Sequence, residues 1–221
     1  TDESNGRTYQ YYQGEKSYPF GHGLSYSSFE YSDLKLSADT VTPNDTLTLS
    51  VNVTNTSDVA GAEVVEVYTS APGADGKTRP VKELKGFEKV DLAAGETKTV
   101  EIQLPMSEQY YWDEDTMSET YDQGTWKVQV GSSSEDIRQE GTFNLQGERN
   151  KELQTVTAIP DKTSLSVDEP ENKAITKLSA AMNDQTFVDL SQAQVEYSSS
   201  NEKVATVDEQ GVVTPVAGGT A

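Results

Sequence analysis

The sequence predicts an all-β protein: two antiparallel β-sandwich domains in tandem, preceded by an extended linker segment. Three observations carry that prediction. Apolar residues recur with period two, turn signals separate them roughly every ten to fifteen residues, and helical periodicity is nearly absent. A length of 221 residues leaves room for one large domain or two of ordinary size.

FEYSDLKLS (29–37) supplies a first, weak strand. TLTLSVNVTNTS (46–57) is the clearest one, because Leu47, Leu49, Val51 and Val53 alternate with polar residues as a half-buried strand requires. The same grammar fits GAEVVEVYTSAP (61–72), VKELKGFEKVDL (81–92, weaker), TKTVEIQLP (97–105), TWKVQVG (125–131) and IRQEGTFNL (137–145). TPND, PGADG, LAAGE and DQG punctuate these runs as turns. Within LPMSEQYYW (104–112) a short helical turn is expected, the only one in this half.

QGERNKELQ (146–154) is charged and without apolar period, which reads as a linker. Strand grammar then resumes in TVTAIP (155–160), TSLSVD (163–168), KAITKLSAAM (173–182) and QVEYSSS (194–200). It ends in a hairpin, VATVDEQGVVTPV (204–216), turning at Gly211. The expected domains are 29–146 and 154–221, with a linker at 147–153 and a junction segment at 1–28. The second domain is expected to lack its closing strand, because GGTA stands where another strand should start.

The chain carries 37 acidic and 17 basic residues, a net charge of −20. The imbalance holds on both sides of Asn150, so neither half offers a basic face to a phosphate backbone or an anionic membrane. Nucleic acid and membrane insertion are excluded as partners on this reading; neutral carbohydrate is compatible with it. There is no cysteine, and no apolar run reaches the roughly 18 residues that span a bilayer. TDESNGRTYQYYQG lacks the apolar centre of a signal peptide, so the chain is expected to be an internal piece of something longer.

Those first residues carry a resemblance. GRTYQYYQGEKSYPFGHGLSYSSFEYSDLKLS (6–37) resembles the junction in glycoside hydrolase family 3 where the second catalytic domain hands over to a C-terminal fibronectin type III-like domain. AEVVEVYTSAPG, RPVKELKGFEKVDLAAGETKTVEIQL, YYWDEDT and GSSSEDIRQEGTFNL continue it in order through residue 145. VTAIPDKTSLSV and VEYSSSNEKVATVDEQGVV resemble a bacterial Ig-like domain, group 2. The resemblance implies a parent that hydrolyses β-glucosides or β-xylosides, at the cell surface of a bacterium or outside it. Its catalytic domains would precede Thr1. Retaining hydrolysis needs two carboxyl groups about 5–5.5 Å apart. No position here matches either carboxyl motif, so no catalytic residue carries over, and no cofactor or metal is expected.

Residues Tyr18, Pro19, Phe20, Gly21, His22, Gly23 and Tyr26 are the expected joint to the preceding domain. Pro19 fixes the backbone, and the two glycines permit conformations or close approaches closed to other residues. His22, the only histidine, has no neighbour that would orient it as a base or join it as a metal ligand. Tyr110, Tyr111 and Trp112 are candidates for carbohydrate contact, which sets up an alternative reading as a carbohydrate- or cell-surface-binding module. WDEDTMSETYDQG (112–124) fails the spacing of a calcium loop and reads as a solvated acidic turn. Asn44, Asn52 and Asn55 head glycosylation sequons.

Overall fold

The computed structural model describes residues 8–76, 79–169 and 171–221. The opening seven residues of the expected junction lie outside them. The chain divides into two compact units: residues up to Trp112 together with Thr120–Asn150, and Asp113–Glu119 together with Lys151–Ala221. Both are all-β, as the period-two pattern predicts. Among the described residues no helix is long and apolar enough to cross a membrane.

The first unit is built from β1 (Phe29–Leu36), β2 (Thr40–Val41), β3 (Thr46–Asn55), β4 (Gly61–Ser70), β5 (Glu83–Leu92) and β6 (Thr97–Pro105). A 3-10 turn at Met106–Glu108 follows, then a short hairpin, β7 (Tyr111–Asp113) with β8 (Ser118–Thr120), whose Asp113–Glu119 segment is grouped with the second unit. β9 (Gly124–Gly131) and β10 (Ile137–Leu145) complete the first unit. One sheet has the order β1-β3-β6, the other β2-β10-β9-β4-β5. The ladders are antiparallel except for β2, whose two residues run parallel to Asn144 and Leu145 at the end of β10.

Alternation decides what is inside. Leu47, Leu49, Val51 and Val53 on β3 are fully buried, and Val128, Val130, Phe143 and Leu145 of the opposite sheet are buried with them. Removing a leucine or valine side chain from water is worth about 1.5–3 kcal/mol, so four on one strand dominate local stability. The Trp126 and Phe143 rings stack at 6.1 Å, and the Trp126 indole N–H donates to the Asp122 carbonyl at 2.8 Å. Asn55 is wholly buried at the end of β3. Its amide nitrogen donates to the Val59 and Leu92 carbonyls at 2.8 and 3.2 Å, and its carbonyl accepts from the Ser57 N–H and hydroxyl. That sequon amide is committed to closing a loop.

The second unit holds β11 (Leu153–Pro160), β12 (Ala174–Met182), β13 (Ala205–Val207) and β14 (Val212–Pro215), in the order β11-β12-β14-β13. The 204–216 hairpin forms with Gly211 in the left-handed region, φ 75°. The strands expected at 163–168 and 194–200 do not form: both segments run outside any ladder. Alternation reports which side of a chain faces inward; it does not supply a neighbouring edge to bond to. The core is correspondingly thin. Ala174 and Ala180 are its buried apolar residues, while Leu153, Val156, Ile159 and Phe187 stay more than half exposed. Asp184 is the buried polar anchor. Burial alone would push its carboxyl up, but the Lys151 ammonium at 2.9 Å and the Thr186 hydroxyl and N–H hold it at about 2.

Asn55→Ala should lower the first unit's stability by about 1–3 kcal/mol, since it strands two carbonyls and an N–H in the interior. Urea unfolding would show this as a lower midpoint at unchanged slope.

Candidate functional site: the Tyr18–Tyr26 strap

The segment before β1 lies against the first unit as a strap, and its fastenings are specific. Tyr11 and Tyr12 donate their N–H groups to the Thr8 carbonyl at 3.0 and 2.8 Å, closing a turn. That turn places the Tyr9 hydroxyl to accept the Leu84 N–H at 2.8 Å, and the Gln10 carbonyl to accept the Val81 N–H. Lys16 pairs with Glu135 at 2.5 Å. Further along, the Phe20 carbonyl accepts the Ser134 N–H at 2.9 Å, and the Phe20 ring stacks on Tyr9 at 4.2 Å. Tyr9 in turn meets Tyr68 edge-on at 6.0 Å.

Pro19 and His22 close a turn: the His22 N–H donates to the Pro19 carbonyl at 3.1 Å, and the Tyr18 and His22 rings lie 5.2 Å apart. Gly21 has φ 81° and rests on the buried carboxylate of Glu66. A methyl at Gly21 would sit 2.8 Å from the carboxyl carbon, so both the backbone and the space call for glycine. Gly23 is different. Its φ is not left-handed, and nothing lies within 4 Å of where a methyl would go.

Tyr18, ahead of the Phe20 anchor, is 76% exposed. Between Gly21 and Ser27, whose hydroxyl reaches the Ala60 carbonyl at 3.4 Å, the strap stands clear, with Leu24 95% and Tyr26 fully exposed. Tyr26 therefore does not cluster with Phe20 and His22 within this chain. Beside the strap opens a cavity of about 710 Å³, lined by Gly21, Leu24, Phe29, Glu63, Ser133 and Arg138 among others. Its walls mix apolar residues such as Leu24, Phe29 and Val64 with charged side chains that already have partners. Arg138 grips Asp136 with two nitrogens at 2.5 and 2.6 Å and donates to the Phe29 carbonyl at 2.9 Å. Glu63 accepts the Tyr31 hydroxyl at 2.8 Å, and burial raises its carboxyl above the usual range. Asp136 is held lower by Arg138.

Sequence reasoning did not reach Glu66, Tyr68 or Ser134. Glu66 and Tyr68 alternate with Val65 and Val67 on β4, so period two places them on the outer face. The strap and the Tyr9 turn cover that face and leave Glu66 at 8% and Tyr68 at 0% exposure. A Glu-X-Tyr pair alternating with Val65 and Val67 at the centre of a strand is the signal that could have found them.

The three aromatic candidates for carbohydrate contact part company. The Arg79 guanidinium caps the Tyr111 ring at 3.2 Å and holds Asp122 through two nitrogens, at 2.6 and 3.2 Å. That grip raises the Arg79 pKa above its ordinary value. Tyr110, just before β7 and edge-on to Tyr121 at 6.4 Å, and Trp112 on β7 remain 41% and 43% exposed. The acidic turn beyond them is organised by Asp113, whose carboxylate accepts the Asp115 and Thr116 N–H groups. Among the described residues no group of three or more His, Cys, Asp or Glu side chains could hold a metal ion.

Residues 63–134, within the first unit's sandwich, match the family described as the Fibronectin type III-like domain. A probable β-glucosidase K of Emericella nidulans is 44% identical over 141 residues, covering 62% of this chain and 16% of that protein. An exo-α-(1→6)-L-arabinopyranosidase of Bifidobacterium breve is 42% identical over 142 residues, covering 64% and 18%. Among solved structures, β-glucosidase 3B of Thermotoga neapolitana in complex with glucose is 37% identical, with a TM-score of 0.57, over 64% of this chain and 19% of that one. The chain thus spans under a fifth of the length of the curated relatives it matches.

The two strap glycines give opposite expectations. Gly21→Ala should cost about 1–3 kcal/mol, through left-handed strain and collision with Glu66. Gly23→Ala should stay within about 0.5 kcal/mol of the wild type. Thermal unfolding of the pair measures the difference.

Proposed function

We propose that this chain is a non-catalytic C-terminal part of a family 3 glycoside hydrolase. In this reading the first unit braces the catalytic domains of the same polypeptide, and the second, a bacterial Ig-like module, acts as a spacer. The domain limits are those expected from the sequence: junction to 28, sandwich 29–146, linker 147–153, second module 154–221. The parent would hydrolyse β-glucosides or β-xylosides at or beyond the cell surface.

The observation that carries this reading is the strap. A segment fastened to the sandwich through Phe20, Gly21 and Ser27 presents Tyr18, Leu24 and Tyr26 bare to solvent. Isolated apolar side chains on a surface need no explanation, but three on one fastened segment fit a face that another domain covers. The relatives support the same reading, since in each the matched stretch is a small part of a longer glycosidase. The purified 221-residue chain should hydrolyse chromogenic β-glucoside and β-xyloside no faster than buffer does; a measurable turnover overturns the proposal.

A second reading rests on Tyr110, just before β7, and Trp112 on it, both of which stay partly open to solvent, as stacking on a neutral glycan requires. On that reading the chain holds polysaccharide or cell envelope near the enzyme. It predicts retention on insoluble cellulose, xylan or cell-wall fractions that disappears in Tyr110→Ala and Trp112→Ala. No retention on any of them removes it.

A further inference from the structure

Glu66 is an unusual group to find beneath a structural strap. It sits on β4, with 8% of its surface exposed, and its neighbours across the ladders are Phe87 on β5 and Gly131 on β9, neither of them ionisable. Among the described residues its carboxylate has one hydrogen-bond donor, the hydroxyl of Tyr68 on the same strand, and no ion pair. The ionisable groups that face it are few. Tyr68 and Glu63 belong to its own strand, and Tyr9 approaches from the N-terminal turn, with Glu83 of β5 next to Tyr9. Of the cations, Lys85 of β5 pairs with Glu83 at 3.4 Å, and Lys82 lies 6.0 Å from the Tyr68 ring with its ammonium committed to the Ser134 carbonyl at 2.6 Å. His22 lies one residue along the strap from Gly21.

A buried carboxylate with one donor and no cation is poorly solvated when charged and comfortable when neutral. The cheapest way for the ionised group to regain water is to displace what covers it. What covers it is Gly21, held by the neighbouring Phe20–Ser134 hydrogen bond and the Phe20–Tyr9 stack.

We propose that Glu66 is a latch on the strap: with its carboxyl neutral the Phe20–Gly21 segment is seated on the sandwich, and ionisation lifts that segment off. The face offered to a neighbouring domain is then set by pH, and seating is favoured by acid. This rests on the strap being the joint, as proposed above, but its test needs only the chain itself. Burial raises the Glu66 carboxyl above the ordinary carboxylate range, and the Tyr68 hydrogen bond partly opposes the shift. The sign follows from linkage. A carboxyl raised in the seated state stabilises that state below its ordinary value. The advantage falls as pH climbs from there to the raised value, by up to about tenfold per pH unit.

The reporter is the Ser134 amide, whose one acceptor on the strap is the Phe20 carbonyl. Hydrogen exchange at Ser134, corrected for the intrinsic rate, should lose protection as pH is raised from 5 to 8. Amides of β3 should not follow it. Glu66→Gln, isosteric and neutral, should keep Ser134 protected across the range. Tyr68→Phe, which removes the donor favouring the charged form, should move the loss of protection to higher pH. Identical profiles for the wild type and Glu66→Gln overturn the latch, as does protection that rises with pH. Failure here leaves the joint reading untouched, because that reading is decided by activity of the isolated chain.

Discussion

The first unit depends on one constraint: both sheets must turn an unbroken apolar face inward. β3 meets it with four consecutive inward positions, all fully buried, and Val65, Val67, Val128, Val130, Phe143 and Leu145 answer from the other sheet. Every feature outside this layer is positioned by it. The strap is fastened to β4, β5 and the β9–β10 loop, so its geometry is only as fixed as those elements are.

The strap adds a second layer on one face, and this addition changes the physical character of β4. A central strand normally has one wet face. Here the outer face is dry over Glu66 and Tyr68, and two polar side chains must satisfy each other. Such pairs are stable while neutral and sensitive to charge, because a low-dielectric surrounding penalises the unpaired ion. The nearby Arg138–Asp136 pair shows the other solution: two opposite charges close enough to fix each other, with the remaining donor on the Phe29 carbonyl.

The two units also differ in what holds them. Nineteen buried residues form the apolar cluster of the first. The second relies on local polar devices: Asp184 across its turn, Asp208 receiving the Gln210 and Val212 N–H groups, and Asp161 receiving the Ile175 N–H. Turns of this kind set chain direction but bury little apolar area, and apolar burial is the larger stabilising term. The exposed Val156 and Ile159 mark a sheet face without enough opposite it.

Read alone, the sequence determined the all-β class, the seven longer strands of the first unit, the 3-10 turn and the 204–216 hairpin, but neither the short β2 nor the β7–β8 hairpin inside the expected acidic turn. Period two and turn chemistry are local properties that survive without coordinates. It also singled out Gly21, whose left-handed backbone is a local requirement. Only the tertiary structure decided which face of β4 is covered, and hence that Glu66 is buried. Tertiary contacts likewise separated Tyr111, capped by Arg79, from Tyr110 and Trp112, and left 163–168 and 194–200 without partners. Each of these turns on what lies across space from a residue, and a pattern along the chain carries no information about an approach from a distant segment.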